Sequence, residues 1–229
     1  MMVDLDGPRR MPRHGRADAL VVLLHGYGAN GEDLIGLADQ WRELLPNAAF
    51  VAPNAPEELP FDGFGGFQWF DLTTRSPEER WRGTQRAAPV LERFIALELE
   101  RVKLRIERLA LVGFSQGTML ALHVGLRLRS PPAAILGYSG IISGPEHLAA
   151  DRQACGVSVQ PPILLIHGEA DDVIPAEALM ITTNALADAG LTSSWHLSLG
   201  LGHGIDMQGL ALGGRFLQQS LGVVTSSGR

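Results

Sequence analysis

The sequence predicts an α/β fold, a mainly parallel central sheet with helices on both faces, and three observations carry that reading. Ala19 to Leu24 (Ala-Leu-Val-Val-Leu-Leu) and several later runs are apolar without interruption, as strands buried on both faces require. These runs alternate almost throughout with stretches of helical spacing, the order that lays crossover helices over a parallel sheet. The 229 residues suffice for one large domain with its sheet between two helix layers, and no repeat or linker divides them.

Taken in order, residues 1–18 form an Arg- and Pro-rich arm, 19–222 a single domain and 223–229 a flexible tail. The strand over 19–24 ends in the glycine-rich stretch His25-Gly26-Tyr27-Gly28-Ala29-Asn30-Gly31. A helix is expected over 33–45, with Leu34, Leu37, Ala38, Trp41 and Leu45 on one face, and a strand over 48–52, broken by Pro53. Residues 57–82 lack periodicity, yet Phe61, Phe64, Phe67, Trp69, Phe70 and Trp81 crowd them; an aromatic loop or lid over an apolar pocket is expected here. A long helix is expected from Gly83, with Ala87, Val90, Leu91, Phe94, Leu97 and Val102 at its spacing. Strands follow over 109–112, 133–136, 163–166 and 194–199. Helices are expected over 116–128 and 176–189, the second closed by Gly190, and a last one uses Leu210, Leu212, Phe216 and Leu221.

Composition removes several classes of function. The net charge is −6 with no basic cluster, which argues against a nucleic-acid partner. A single cysteine, Cys155, allows neither an internal disulfide nor a multi-cysteine metal site. No apolar run approaches the roughly 18 residues of a membrane span, so stable membrane insertion is not expected. Residues 1–18 lack an apolar signal core, and the expected location is cytoplasmic.

The chemistry gathers around Gly113-Phe114-Ser115-Gln116-Gly117, a G-x-S-x-G sequence between an apolar strand and a helical pattern. Such a turn holds a serine hydroxyl above the sheet, and its glycines let strand and helix pass closely. In a parallel sheet, ligands gather at the carboxyl ends of strands. Ser115, Asp171 or Asp172, and His203 all follow strands there, in the order Ser, Asp, His, with room for crossovers between them. A serine hydroxyl needs a neighbouring imidazole to take its proton, and His203 is that candidate base, oriented by the acid. The backbone N–H groups of Gln116 and Tyr27 are the candidate oxyanion donors.

With Leu24-His25-Gly26-Tyr27-Gly28, the Ser115 turn, Gly168-Glu169-Ala170-Asp171-Asp172-Val173-Ile174-Pro175 and Gly202-His203 in view, the chain resembles the phospholipase/carboxylesterase family of α/β-hydrolases, which includes the acyl-protein thioesterases. The resemblance implies the α/β-hydrolase fold and a small cytosolic enzyme, often a homodimer, acting on carboxylic esters without metal or cofactor. It selects Asp171 over Asp172, because the family's acid is the third residue after the glycine of that segment. Gln68-Trp69-Phe70-Asp71 resembles a segment lining the acyl pocket of bacterial carboxylesterases. The expected function is therefore a serine carboxylesterase working through an acyl-enzyme on a small-molecule ester. Phe67, Trp69, Phe70, Ile141 and Ile142 are the expected acyl wall. The same triad would serve an acyl-protein thioesterase or lysophospholipase, and a hydrolase fold that binds without turnover is the non-enzymatic alternative.

One rival motif stands in the same loop. Gly26 to Gly31 also reads G-x-G-x-x-G after a strand, but the next strand ends in Ala52-Pro53-Asn54 with no acid to hold a ribose. Of the other histidines, His25 and His167 are read as structural imidazoles, His123 as a packing or surface residue, and His14, His147 and His196 as surface residues.

Overall fold

The computed structural model describes residues 4–59 and 66–223. In chain order the strands are β1 (Arg9–Arg10), β2 (Ala19–Leu24), β3 (Ala48–Val51), β4 (Glu57–Leu59), β5 (Gly66–Gln68), β6 (Leu109–Phe114), β7 (Ala134–Tyr138), β8 (Ile163–Gly168) and β9 (Ser194–Ser198). The helices are α1 (Gly31–Trp41), α2 (Pro77–Val102), α3 (Gln116–Gly125), α4 (Leu148–Ala154), α5 (Glu177–Asp188) and α6 (Met207–Ser220). Seven strands form one sheet in the order β1-β3-β2-β6-β7-β8-β9, parallel except for the antiparallel edge strand β1.

Residues alternate along each strand between two cores, which is why the strands read as unbroken apolar runs. Leu20, Val22 and Leu24 of β2 face one core with Leu91 and Phe94 of α2, Leu120 of α3 and Leu179 of α5. Ala19, Val21 and Leu23 face the other with Ile35 and Trp41 of α1 and Leu217 of α6. Each fully buried Leu or Ile contributes about 1.5–3 kcal/mol relative to exposure. Both helix layers are thus fixed by the same six residues of one strand.

The chain leaves β2 toward β3 on one side and returns to β6 on the other, so strand order reverses between β2 and β6. At such a switch point the loops diverge and leave a crevice at the strands' carboxyl ends. The registers Leu24↔Gly113 and Phe114↔Tyr138 bring the ends of β2, β6 and β7 level beside it.

Several elements differ from expectation. Helix α1 begins at Gly31, two residues early, because Asn30 and Asp33 form a reciprocal capping box. Helix α2 begins at Pro77 rather than Gly83. Ser76 caps it by accepting from Glu79 N–H, and the Glu79 carboxylate in turn accepts from the N–H groups of Thr73, Thr74 and Arg75. The stretch expected to be irregular also contains the antiparallel pair β4–β5. Phe61 and Phe64 lie outside the described residues, as does the tail after 223. No helix among the described residues is long and apolar enough to cross a membrane.

Glycine placement gives a stability test. A Cβ on Gly117 would sit 1.9 Å from the Leu24 carbonyl oxygen, whereas one on the helical Gly36 would meet nothing within 4 Å. In urea unfolding, Gly117→Ala is expected to cost at least about 2 kcal/mol, while Gly36→Ala gains about 0.5–1 kcal/mol. Equal midpoints for the two variants would refute the close crossing at Gly117.

Candidate active site

Ser115 links β6 to α3 with φ 54° and ψ −114°, a conformation seldom adopted by a residue with a side chain. The turn is this tight because β6, α3 and the β2 loop touch without side chains between them. A Cβ on Gly113 would lie 2.4 Å from the Gly117 backbone, and one on Gly26 would lie 3.2 Å from Ser115 Cβ. Ser115 N–H donates to the Tyr138 carbonyl at 2.9 Å, anchoring the turn to β7. The side chain thereby lies against Gly26, beside the loop that follows β2.

That loop is held by His25, Trp69 and Gln116. Ala55 N–H donates to His25 Nε2 at 3.0 Å, so Nε2 is an acceptor and the ring proton sits on Nδ1, 2.7 Å from the Gly26 carbonyl. Burial pushes the His25 imidazole below its ordinary pKa, against the opposing pull of the Gly26 hydrogen bond, and this favours the neutral ring. Trp69 Nε1–H donates to the His25 carbonyl at 2.9 Å. The Gln116 amide then grips the aromatic segment twice: Oε1 accepts from Trp69 N–H at 2.9 Å and Nε2–H donates to the Phe70 carbonyl at 2.7 Å. Strand β5 pairs with the loop itself through Gly28 N–H to Phe67 O and Phe67 N–H to Ala29 O. The backbone N–H groups of Tyr27 and Gln116 have no acceptor among the described residues. Gln116 N–H is also at a helix N-terminus, where the dipole favours negative charge.

The acid and the imidazole come from the loops after β8 and β9. His203 Nδ1–H donates to Asp171 Oδ2 at 2.8 Å, while Val173 and Ile174 N–H donate to Oδ1 at 3.0 and 2.9 Å. Burial acts to raise the Asp171 carboxyl pKa, but the hydrogen bonds from His203, Ile174 and Val173 outweigh it and hold the group below the usual carboxylate range. Asp172 is exposed. The two loops are laced together by Glu169 N–H to Ser198 O, Ala170 N–H to Leu201 O and Gly200 N–H to the Glu169 carboxylate. The Phe114 ring lies 4.9 Å from the His203 ring, centroid to centroid, beside the candidate nucleophile. Among the described residues no hydrogen bond joins Ser115 Oγ to His203, a contact often loose in ligand-free sites.

Among the expected wall residues, Trp69, Phe70 and Ile142 belong to the core, with at most 5% exposed. Their packing leaves them little surface to offer a ligand. Phe67 and Ile141 are the half-buried pair. Sequence reasoning missed Ser139, at the end of β7 with φ 46°, whose hydroxyl donates to the Gly204 carbonyl and ties the His203 loop to the sheet. A serine–glycine pair directly after a strand was the available signal. His147, expected at the surface, stacks on Trp81 at 4.4 Å, while His123 takes the packing alternative of its reading, its burial driving the pKa down to about 3. His196 is half-buried, its Nε2 enclosed.

The dinucleotide reading is met at the start of α1. Gly31 N–H is taken by Asn54 Oδ1, and Glu32 and Asp33 N–H by Asn30 Oδ1, with the Asp33 carboxylate beside them. The donors a pyrophosphate would need are engaged, and a negative charge lies at the same place. Among the described residues no group of three or more His, Cys, Asp or Glu side chains is arranged to hold a metal ion.

A family model described as phospholipase/carboxylesterase matches residues 10–221. Acyl-protein thioesterase 1 of Gibberella zeae is 26% identical over 208 residues, covering 86% of this chain and 88% of that protein. Acyl-protein thioesterase 1 homolog 1 of Dictyostelium discoideum is 27% identical over 209 residues, covering 89% and 91%. Among solved structures, esterase PE8 superposes with a TM-score of 0.87 at 42% identity over 95% of this chain and 99% of that one. Acyl-protein thioesterase 2 of Zea mays superposes with a TM-score of 0.75 at 25% identity over 93% and 98%.

Two stability measurements follow from this geometry. Removing the side chain from the strained turn relieves it, so Ser115→Gly is expected to unfold about 1–2 kcal/mol later than wild type; a lower stability than wild type would show the turn unstrained. The second concerns Asp171, whose lowered pKa stabilises the fold above its ordinary value of 3.8. That stabilisation is lost as pH falls from there through the lower folded value. Urea midpoints of Asp171→Asn should therefore fall less steeply than wild type below about pH 4, and parallel acid limbs would count against the ionised carboxylate.

Proposed function

Because the chain belongs to the phospholipase/carboxylesterase family of α/β-hydrolases, we propose that it hydrolyses carboxylic esters through an acyl-enzyme formed on Ser115. The observation that carries this reading is the 2.8 Å bond from His203 Nδ1 to a fully buried Asp171 carboxylate, set beside a serine in a strained strand-to-helix turn. With Nδ1 donating to Asp171, the other ring nitrogen is the one available to Ser115. His203 Nε2 takes the hydroxyl proton as Oγ bonds to the acyl carbon, and Asp171 stabilises the imidazolium. The resulting oxyanion is received by Tyr27 and Gln116 N–H, donors already in place, each worth on the order of 10²–10³ in rate. His203 returns the proton to the leaving alcohol as the C–O bond breaks. Water then attacks the acyl-enzyme by the same steps, releasing the acid and restoring Ser115.

A second reading concerns the leaving group. The relatives named acyl-protein thioesterase at 26% and 27% identity favour a thioester as an alternative substrate for the same machinery. Nothing in the triad distinguishes sulfur from oxygen in the leaving group, so the pocket decides between them.

The test is stopped-flow hydrolysis of p-nitrophenyl esters from acetate to palmitate, beside matched acyl thioesters. Wild type is expected to turn over with an acylation burst and Ser115→Ala to be inactive. Asp171→Asn is expected to lose roughly 10⁴ in kcat, as in the best-studied triad. A fully active Ser115→Ala would overturn the proposal, and a kcat/KM ranking that favours thioesters at every chain length would replace the ester by the thioester reading.

A further inference from the structure

A second imidazole reaches the acid. His167 occupies the end of β8, 2% exposed, with Nε2 2.8 Å from the Ile174 carbonyl oxygen and 3.3 Å from Asp171 Oδ2. A carbonyl oxygen can only accept, so His167 Nε2 carries a proton and donates it to Ile174, while the carboxylate oxygen bonded to His203 lies 3.3 Å from the same nitrogen. The mechanism above makes no use of this group.

We propose that His167 is a positioning residue of the triad, fixing the Asp171 carboxylate and its turn so that His203 keeps one orientation toward Ser115. The inference rests on the proposed Ser115–His203–Asp171 assignment. The turn that carries Asp171 is tied to His167 by one hydrogen bond, at Ile174, and by one close contact at the carboxylate itself. Oδ1 of Asp171 is held by the N–H groups of Val173 and Ile174, and these are only as fixed as the 171–174 turn that presents them. Ile174 is gripped at both ends, its N–H by Asp171 and its C=O by His167. His167 pairs directly opposite Leu197 of β9. It is therefore mounted on the sheet and joins the turn to it.

The other side of the pair cannot supply that rigidity. His203 stands between Gly202 and Gly204, its side chain 17% exposed; the backbone bonds that lace its loop to the β8 loop end at Leu201, and beyond them Ser139 reaches Gly204 only at 3.4 Å. An imidazole on such a loop takes its direction from the acid. Without His167, the Ile174 carbonyl loses its partner, the carboxylate loses a neighbour at 3.3 Å, and the turn gains freedom to carry the carboxylate away from His203. A displacement of about 1 Å of a reacting group costs up to about 10² in rate.

The experiment compares His167→Leu and His167→Gln with wild type and Ser115→Ala. It reads kcat and KM for a p-nitrophenyl ester and the far-downfield proton resonance of the His203–Asp171 hydrogen bond. His167→Leu is expected to lower kcat on the order of 10- to 100-fold with KM within about twofold, and to shift or broaden the resonance. His167→Gln, which carries an amide N–H at similar reach, is expected to restore most of the kcat and the resonance. A folded His167→Leu with wild-type kcat would overturn the proposal. So would equal losses in both variants with the resonance unmoved, which would leave His167 as packing alone. If His167→Leu does not fold, His167→Gln decides: near-wild-type kcat and resonance support the role, and a large kcat loss with an unmoved resonance refutes it. An active Ser115→Ala would sink the nucleophile assignment separately, because the resonance reports on the Asp171–His203 pair without turnover.

Discussion

Strand, helix and loop meet at one point without side chains between them, and the rest of the molecule is arranged around that contact. Gly113 and Gly117 let the end of β6 and the first turn of α3 come within van der Waals distance, and Gly117 lies against the β2 carbonyls. The chain must then reverse in a single residue, and Ser115 takes the strained conformation that reversal demands. Proximity also brings the N-terminus of α3 next to the loop after β2. The proposed nucleophile and its two proposed backbone donors consequently lie together at the place where strand order reverses.

Two preassembled halves make up the site. In the first, His25, Trp69 and the Gln116 amide bind the β2 loop, the aromatic segment and α3 into one unit. In the second, backbone bonds from Glu169 and Ala170 fasten the loops after β8 and β9 together before any side chain is considered. The halves touch through the Phe114–His203 ring contact and the bond from Ser139 to Gly204. The sheet beneath also joins them, through the pairing of β7 with β8 and the bond from Ser139 N–H to Ile166 O.

The parallel sheet could be read from the sequence because strands buried on both faces leave a one-dimensional trace, the unbroken apolar run. That Ser115, Asp171 and His203 follow strand ends on one edge could be read because a crossover sheet brings such residues together whatever their separation. Choosing Asp171 over Asp172 needed the family resemblance, since spacing alone allowed both. The β4–β5 pair left no such trace: its strands are three residues long, and their docking on residues 28–29 uses main-chain groups that any side chains would permit. The start of α2 was present in writing, as Ser76-Pro77-Glu78-Glu79, but the surrounding aromatics suggested a continuous loop. Aromatic crowding was also ambiguous in kind. A ligand wall and a buried anchor have the same composition, and Trp69 and Phe70 turn out to be anchors by burial.

The double grip of the Gln116 amide on Trp69 and Phe70 bears on how such a scaffold diversifies. The residue whose main chain is the proposed oxyanion donor is also the residue that fastens the aromatic segment. A backbone shift at 69–70 would therefore drag the proposed oxyanion donor along with it. Half-buried side chains outside that grip, such as Phe67 and Ile141, can change in size without moving it. Substrate range on this framework can thus drift through local changes of shape, while the frame that aims the reaction stays still.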